Sequence, residues 1–188
     1  MRKSLIAVVA ALPLLSACFP LAVTGVGTAA LMADDRRTTG IYIEDENIEW
    51  KILGRVNDRF RNAHVNATSY NRKVLLTGEA SSEEEKGQIA DVVKGVPSVL
   101  DVVNEMQVAG ASSLAARGND TYLTTTVKTR MINNGKFSPN HVKVVTEAGT
   151  VYLMGLVSQA EGDAAAEIAR TTSGVRGVVK VFEYRPGA

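Results

Sequence analysis

One stretch of this chain is written twice, and that repetition limits its possible folds more than any other feature. Arg72-Lys73-Val74-Leu75-Leu76-Thr77-Gly78 matches Gly149-Thr150-Val151-Tyr152-Leu153-Met154-Gly155 at an offset of 77, and His64-Val65 falls on His141-Val142 at the same offset. Ile89-Ala90 and Gly95-Val96 fall on Ile168-Ala169 and Gly174-Val175 at 79. Upstream, Ile52, Val56, Arg59 and Phe60 fall on Leu123, Val127, Arg130 and Met131 at 71. Self-similarity of this length marks one supersecondary unit used twice. Within 188 residues each copy has only about 65, a small core for an isolated domain. Packing of one copy on the other is compatible with that size but does not follow from it.

Each copy reads as helix, strand, strand, helix, strand. Ile52, Val56 and Phe60, then Leu123, Val127 and Met131, recur every four residues, as a buried helix face requires. Val65 to Tyr70 and Val74 to Gly78 form a hairpin around Asn71-Arg72; His141 to Thr146 and Thr150 to Leu156 repeat it around Glu147-Ala148-Gly149. The second helix runs from about Ser81 to Lys94, with Glu83, Glu84 and Glu85 at its positive end. Gly95 is its natural stop. Val99 to Val108 and Val178 to Tyr184 close the copies as strands. The expected fold is α+β: two tandem αββαβ modules, each a small three-stranded mixed sheet against two helices. Gly78, Gly155, Gly95 and Gly174 are expected to be structural.

The N-terminus reads as an export signal. Arg2 and Lys3 precede an apolar run from Ser4 to Leu15, too short to span a bilayer stably. Leu15-Ser16-Ala17-Cys18 then resembles the lipobox of bacterial lipoproteins, which implies that the Cys18 thiol is acylated. Cys18 is the chain's one cysteine. Several acyl chains would hold the protein on a membrane far more firmly than one. Phe19, not aspartate, follows, and in that lipoprotein class this implies the outer membrane, facing the periplasm. The expected organisation is a signal peptide over 1–17 and a lipidated tether over 18–43. A first module over 44–109, a linker over 110–118 and a second module over 119–188 follow.

Composition excludes more than it identifies. A net charge of +1 offers no basic field, so nucleic acid is not an expected partner. One cysteine and two histidines rule out a disulfide framework and leave little for a metal centre. His64 and His141 occupy equivalent strand starts, as duplication alone would produce, and no metal ligand, cofactor or catalytic residue is expected. No GxSxG, HExxH or phosphate-binding glycine loop occurs.

A tandem αββαβ pair, with hydrophobic-Gly after the second strand and Gly-Val before the third, resembles the BON domain. Asp35-Arg36-Arg37-Thr38-Thr39-Gly40, Asn119-Asp120-Thr121 and Val151-Tyr152-Leu153-Met154-Gly155-Leu156-Val157 carry the likeness most clearly. The resemblance implies binding of anionic phospholipid (phosphatidylglycerol or cardiolipin) by the second module. It also implies links to division sites, outer-membrane integrity and the β-barrel assembly machinery.

A helical wheel gives that implication a location. Opposite Leu123, Val127 and Met131 lie Tyr122, Thr125, Lys128, Thr129 and Ile132, with no acid among them. Tyr122 suits a headgroup interface, Ile132 can insert and Lys128 can meet a phosphate. Packing of Tyr122 and Ile132 against the first module is the alternative. On the first helix the corresponding side is expected to be Lys51, Gly54, Arg55, Asp58 and Arg61, charged and with nothing to insert. Trp50 is read either as an interfacial anchor or as a cover for the core edge. Residues 119–188 carry 8 basic and 6 acidic side chains against 8 and 9 in 47–109. A protein-interaction adaptor that docks through strand edges or the inter-module groove is the competing function.

Overall fold

A computed structural model describes residues 34–185; the expected signal peptide, Cys18 and most of the expected tether lie outside them. The elements follow in order as α1 (Thr39–Arg59), β1 (His64–Tyr70), β2 (Lys73–Ala80), α2 (Glu83–Lys94), β3 (Asp101–Asn104) and β4 (Gln107–Val108). The second copy supplies α3 (Leu114–Ile132), a 3-10 turn (Pro139–His141), β5 (Val142–Glu147), β6 (Thr150–Val157), α4 (Gln159–Arg170) and β7 (Gly177–Tyr184). No described helix is long and apolar enough to cross a membrane.

In each module an antiparallel hairpin is extended by a parallel third strand: β1-β2-β3 in the first, β5-β6-β7 in the second. The first module's closing strand is broken into β3 and β4, both paired with β2, making four strands. At the break Met106 turns into the core and the Asn104 side chain accepts from its amide.

Hydroxyl side chains start every described helix. Thr38, Ser82, Ser113 and Ser158 each accept a backbone N–H of the first turn, and Ser158 with Glu161 completes a reciprocal capping box. Ser113 places the start of α3 at Leu114, inside the stretch that composition suggested as linker. Ala115, Ala116 and Arg117 are strong helix formers and extend α3 once it is capped.

Strand alternation divides the burial. Val74, Leu76 and Ala80 face α1 and α2, with Ile48, Ile52, Val56, Ile89 and Val93. Val151, Leu153 and Val157 face α3 and α4, with Val127, Met131, Ala165 and Ala169. The other faces of the two sheets meet each other: Tyr70 and Leu75 pack on Tyr152, Met154 and Val181. The order of layers is therefore helices, sheet, sheet, helices.

The hairpins are in the register the repeat implied, but both helices are not. Buried Asp45, Ile48, Ile52 and Val56 on α1 answer Asp120, Leu123, Val127 and Met131 on α3, one helical turn from the match at 71. Phe60 is the C-cap residue of α1, only partly buried. Likewise Ile89 and Val93 answer Ala165 and Ala169, again one turn away. Gly95 therefore corresponds to Thr171, both C-caps, and Gly174 (φ 91°) to Ser98 (φ 72°). A 3.6-residue period looks the same after a one-turn slip, which is the physical reason for both errors.

The segment before α1 is clamped. Arg36 makes a bidentate pair with Glu161 (2.7 and 2.8 Å) and also donates to the Leu156 carbonyl. Arg37 pairs with Asp35 and Asp45 and lies 4.1 Å over the Tyr70 ring. Adjacent arginines thus hold one module each.

Candidate functional site: the outer ridge of the second module

α3 turns one side to solvent along its whole length, about 27 Å at 1.5 Å per residue. Tyr122 is 66% exposed and Ile132 64%, so neither packs against the first module in the way the alternative required. Thr125, Lys128 and Thr129 are exposed between them. Leu114, 84% exposed, extends the ridge by two turns. It was missed because its segment was read as linker; the Ser113 cap was the available signal.

The threonines alter the ridge's chemistry. Thr121, Thr125, Thr126 and Thr129 each donate their hydroxyl to the carbonyl four residues earlier, at 2.9–3.0 Å. A hydroxyl committed inside its own helix leaves mainly a methyl group facing outward and loses less on leaving water. Lys128 has no carboxylate partner among the described residues, whereas nearby Lys143 is held by Glu49 at 2.9 Å. Beside Lys128 and Ile132 lies a groove of about 300 Å³, also lined by Arg37, Tyr70, Pro139 and Val142. The ridge offers apolar tips, hydroxyls bonded within their own helix and one cation with no carboxylate partner among the described residues.

The corrected register changes the comparison with the first module. Asn47, Trp50, Leu53, Gly54 and Asn57 are the counterparts of the five ridge residues, not Lys51, Gly54, Arg55, Asp58 and Arg61. This side carries one exposed acid, Glu46, one turn before Trp50 at the position of Thr121, and it does have something to insert. Trp50 is 72% exposed, and Ile43 two turns earlier is also exposed, so the indole does not cover the core edge. What the α1 side lacks is the cation: Leu53 stands where α3 has Lys128.

The glycines separate into two kinds. A Cβ on Gly78 would lie 2.0 Å from the His64 carbonyl oxygen, and one on Gly155 2.2 Å from that of His141. These glycines let β2 and β6 pass close to their neighbours. Gly95, at φ −79°, would meet nothing closer than 3.5 Å and has no need to be glycine.

A polar cluster lies at the seam between the modules. His64 and Glu79, cross-strand neighbours in the first module, meet Glu147 of the second. Tyr152 nearby is pushed up to about 12, first by burial and then by the Glu105 and Glu147 carboxylates. Sequence reasoning set His64 aside because its two acidic neighbours are distant in the chain.

The repeated αββαβ unit, its two close-passing glycines and its face-to-face sheets define a duplicated small α+β class. The chain belongs to the BON domain family, whose model matches residues 44–110 and 119–186. It is 39% identical over 185 residues to the outer membrane lipoprotein DolP of Haemophilus influenzae, covering 97% of this chain and 96% of that one. It is 33% identical over 153 residues to the 21 kDa hemolysin of Actinobacillus pleuropneumoniae, covering 80% and 79%. It is also 29% identical over 144 residues to the osmotically-inducible protein Y of Escherichia coli, covering 74% and 72%.

Proposed function

We propose that this protein is an outer-membrane lipoprotein, anchored through Cys18 and facing the periplasm, whose second module binds anionic phospholipid along α3. It supports outer-membrane integrity at division sites in this reading. Likeness to an outer membrane lipoprotein over nearly the whole chain supports the location. One observation carries the binding role: an acid-free ridge with Leu114, Tyr122 and Ile132 exposed, its threonine hydroxyls turned inward and Lys128 unpaired. Phosphatidylglycerol or cardiolipin would meet Lys128 while Tyr122 sits among the headgroups and Ile132 inserts.

The test uses residues 34–188, a compact unit without the acyl anchor but with the Arg36–Arg37 clamp. It should sediment with vesicles containing phosphatidylglycerol and not with purely zwitterionic ones. Tyr122→Glu should abolish this with unchanged circular dichroism, because it puts a charge at the centre of the ridge. Undiminished binding would remove α3 as the contact.

A second reading rests on the α1 side. An exposed Trp50 and Ile43 without a basic neighbour on the same ridge suit a protein surface better than an anionic membrane. The chain would then also serve as an adaptor for the β-barrel assembly machinery. A crosslink in cells that is lost in Trp50→Ala but kept in Tyr122→Glu is the expected result.

A further inference from the structure

His64, Glu79 and Glu147 bring a ring nitrogen and two carboxylates within 4.8 Å of one another across the inter-module seam. His64 Nδ1 is 2.8 Å from Glu79 Oε2. Glu79 and Glu147 are only 7% and 6% exposed. Duplication shows how unusual these acids are. Leu156 occupies the position of Glu79 in the second copy, and Tyr70 that of Glu147 in the first. Leu156 and Tyr70 both belong to the apolar contact between the sheets. Two carboxylates therefore stand at a buried seam where each opposite copy has an apolar side chain.

A charged imidazole would answer one of them. Glu147 has no cationic partner among the described residues. Asn66 Nδ2 and Thr77 Oγ1 both donate to its Oε2, at 2.8 and 3.3 Å, and its Oε1 accepts nothing. Arg117 lines the adjoining groove but donates to Ser112 Oγ instead. Its Oε1 is open to that groove, where a cation can reach it.

We propose that His64, Glu79 and Glu147 form a divalent-cation site, best suited to zinc, that joins the two modules. A neutral imidazole, two carboxylates and a divalent ion sum to zero charge, which removes the uncompensated acid. Zinc accepts nitrogen and carboxylate donors together at about 2.0–2.2 Å, so its ligands sit about 3.4 Å apart. Binding would draw the three donors, now within 4.8 Å of one another, in to that value by side-chain rotation. Calcium requires six to eight oxygens and magnesium a near-ideal octahedron, which this set does not supply. Asn66 and Thr77 already hold Glu147 from outside, as the partners of metal-bound carboxylates do. His64, Asn66 and Glu147 also line a groove of about 530 Å³, which gives the ion an entry path.

Full-length protein in detergent, stripped with chelator, would be titrated with zinc chloride by calorimetry, with magnesium and calcium chlorides for comparison. One zinc per chain and a raised Tm are expected. Glu147→Gln and His64→Gln should each weaken binding by more than about 100-fold, beyond the loss typical of a supporting partner. Glu79→Leu with Glu147→Tyr installs the side chains of the opposite copies; circular dichroism checks that this pair stays folded while losing zinc. Failure of the wild type to take up one zinc would overturn the site. So would binding undiminished in both variants, of which Glu147→Gln keeps the shape of the wild-type side chain.

Discussion

At the scale of single residues, the repeat identifies glycines but not the reason for each. Gly78 and Gly155 matched at once because both follow a hydrophobic run in the same strand register. In the structure a carbonyl oxygen lies where each Cβ would be. Backbone cannot move aside as a flexible side chain can, so Gly78→Ala should cost at least about 3 kcal/mol. Gly78 also has φ 107°, which adds to that strain. Gly95→Ala should leave stability within about 1 kcal/mol of wild type, since φ −79° is ordinary for any residue. Urea unfolding of the two variants checks the contrast, and equal losses would contradict it. Gly95 does cap its helix, but its pairing with Gly174 was false, and the cap at φ −79° makes no demand for glycine.

At the scale of elements, strands were legible and helix register was not. Strand alternation reverses at every residue, so a hairpin displaced by one would bury its polar face; helical burial survives a slip of one turn. A residue outside the apolar pattern settles the true register. Asp45 accepts the Asn71 and Arg72 amides at 2.8 and 2.7 Å; Asp120 accepts those of Ala148 and Gly149 at 2.9 and 2.8 Å. In both copies, then, a buried aspartate on the first helix holds the left-handed turn of the hairpin, whose paired N–H groups form an anion nest. An Asp three residues before the first buried aliphatic was visible in the sequence as Asp45-Glu46-Asn47-Ile48 and Asp120-Thr121-Tyr122-Leu123. Its importance was not, because the amides it serves lie more than 25 residues away. Asp120→Ala removes both bonds and should cost about 2–3 kcal/mol. Amide exchange at Ala148 and Gly149 should accelerate more than at the centre of β6; uniform acceleration would mean that Asp120 does not act on the turn. The same correction gives α1 its exposed Trp50, and the two modules now differ by Lys128 and Glu46 rather than by apolar content.

At the scale of the molecule, burial of β2 and β6 on both faces follows from apolar runs that no single helical layer could cover, yet the sequence does not state what covers the second face. The two sheets cover each other, and the short Asp34–Thr38 segment ties the assembly at one side. Composition made this segment look like the end of a tether, since charged residues beside threonine and glycine are the usual content of one; the partners of its arginines lie up to 125 residues away. Glu161 records the strength of that tie. Its carboxyl is lowered from 4.5 to about 2, chiefly by the hydrogen bonds from Arg36. A carboxyl lowered in the folded state stabilises above its unfolded value and loses that contribution as pH falls through the folded one. The pair should therefore act fully above about pH 4.5 and fade towards about pH 2. Arg36→Met keeps the length of the side chain but not its charge, and should unfold at lower urea than wild type at pH 7. The gap between the two midpoints should narrow steadily below about pH 4.5. Because Arg37 remains on Asp45, the first module's own contacts persist, so the loss should appear as a weaker hold on the second module. A gap that does not change with pH would show that the clamp holds through Arg36 packing and its bond to the Leu156 carbonyl, with no contribution from the charge on Glu161.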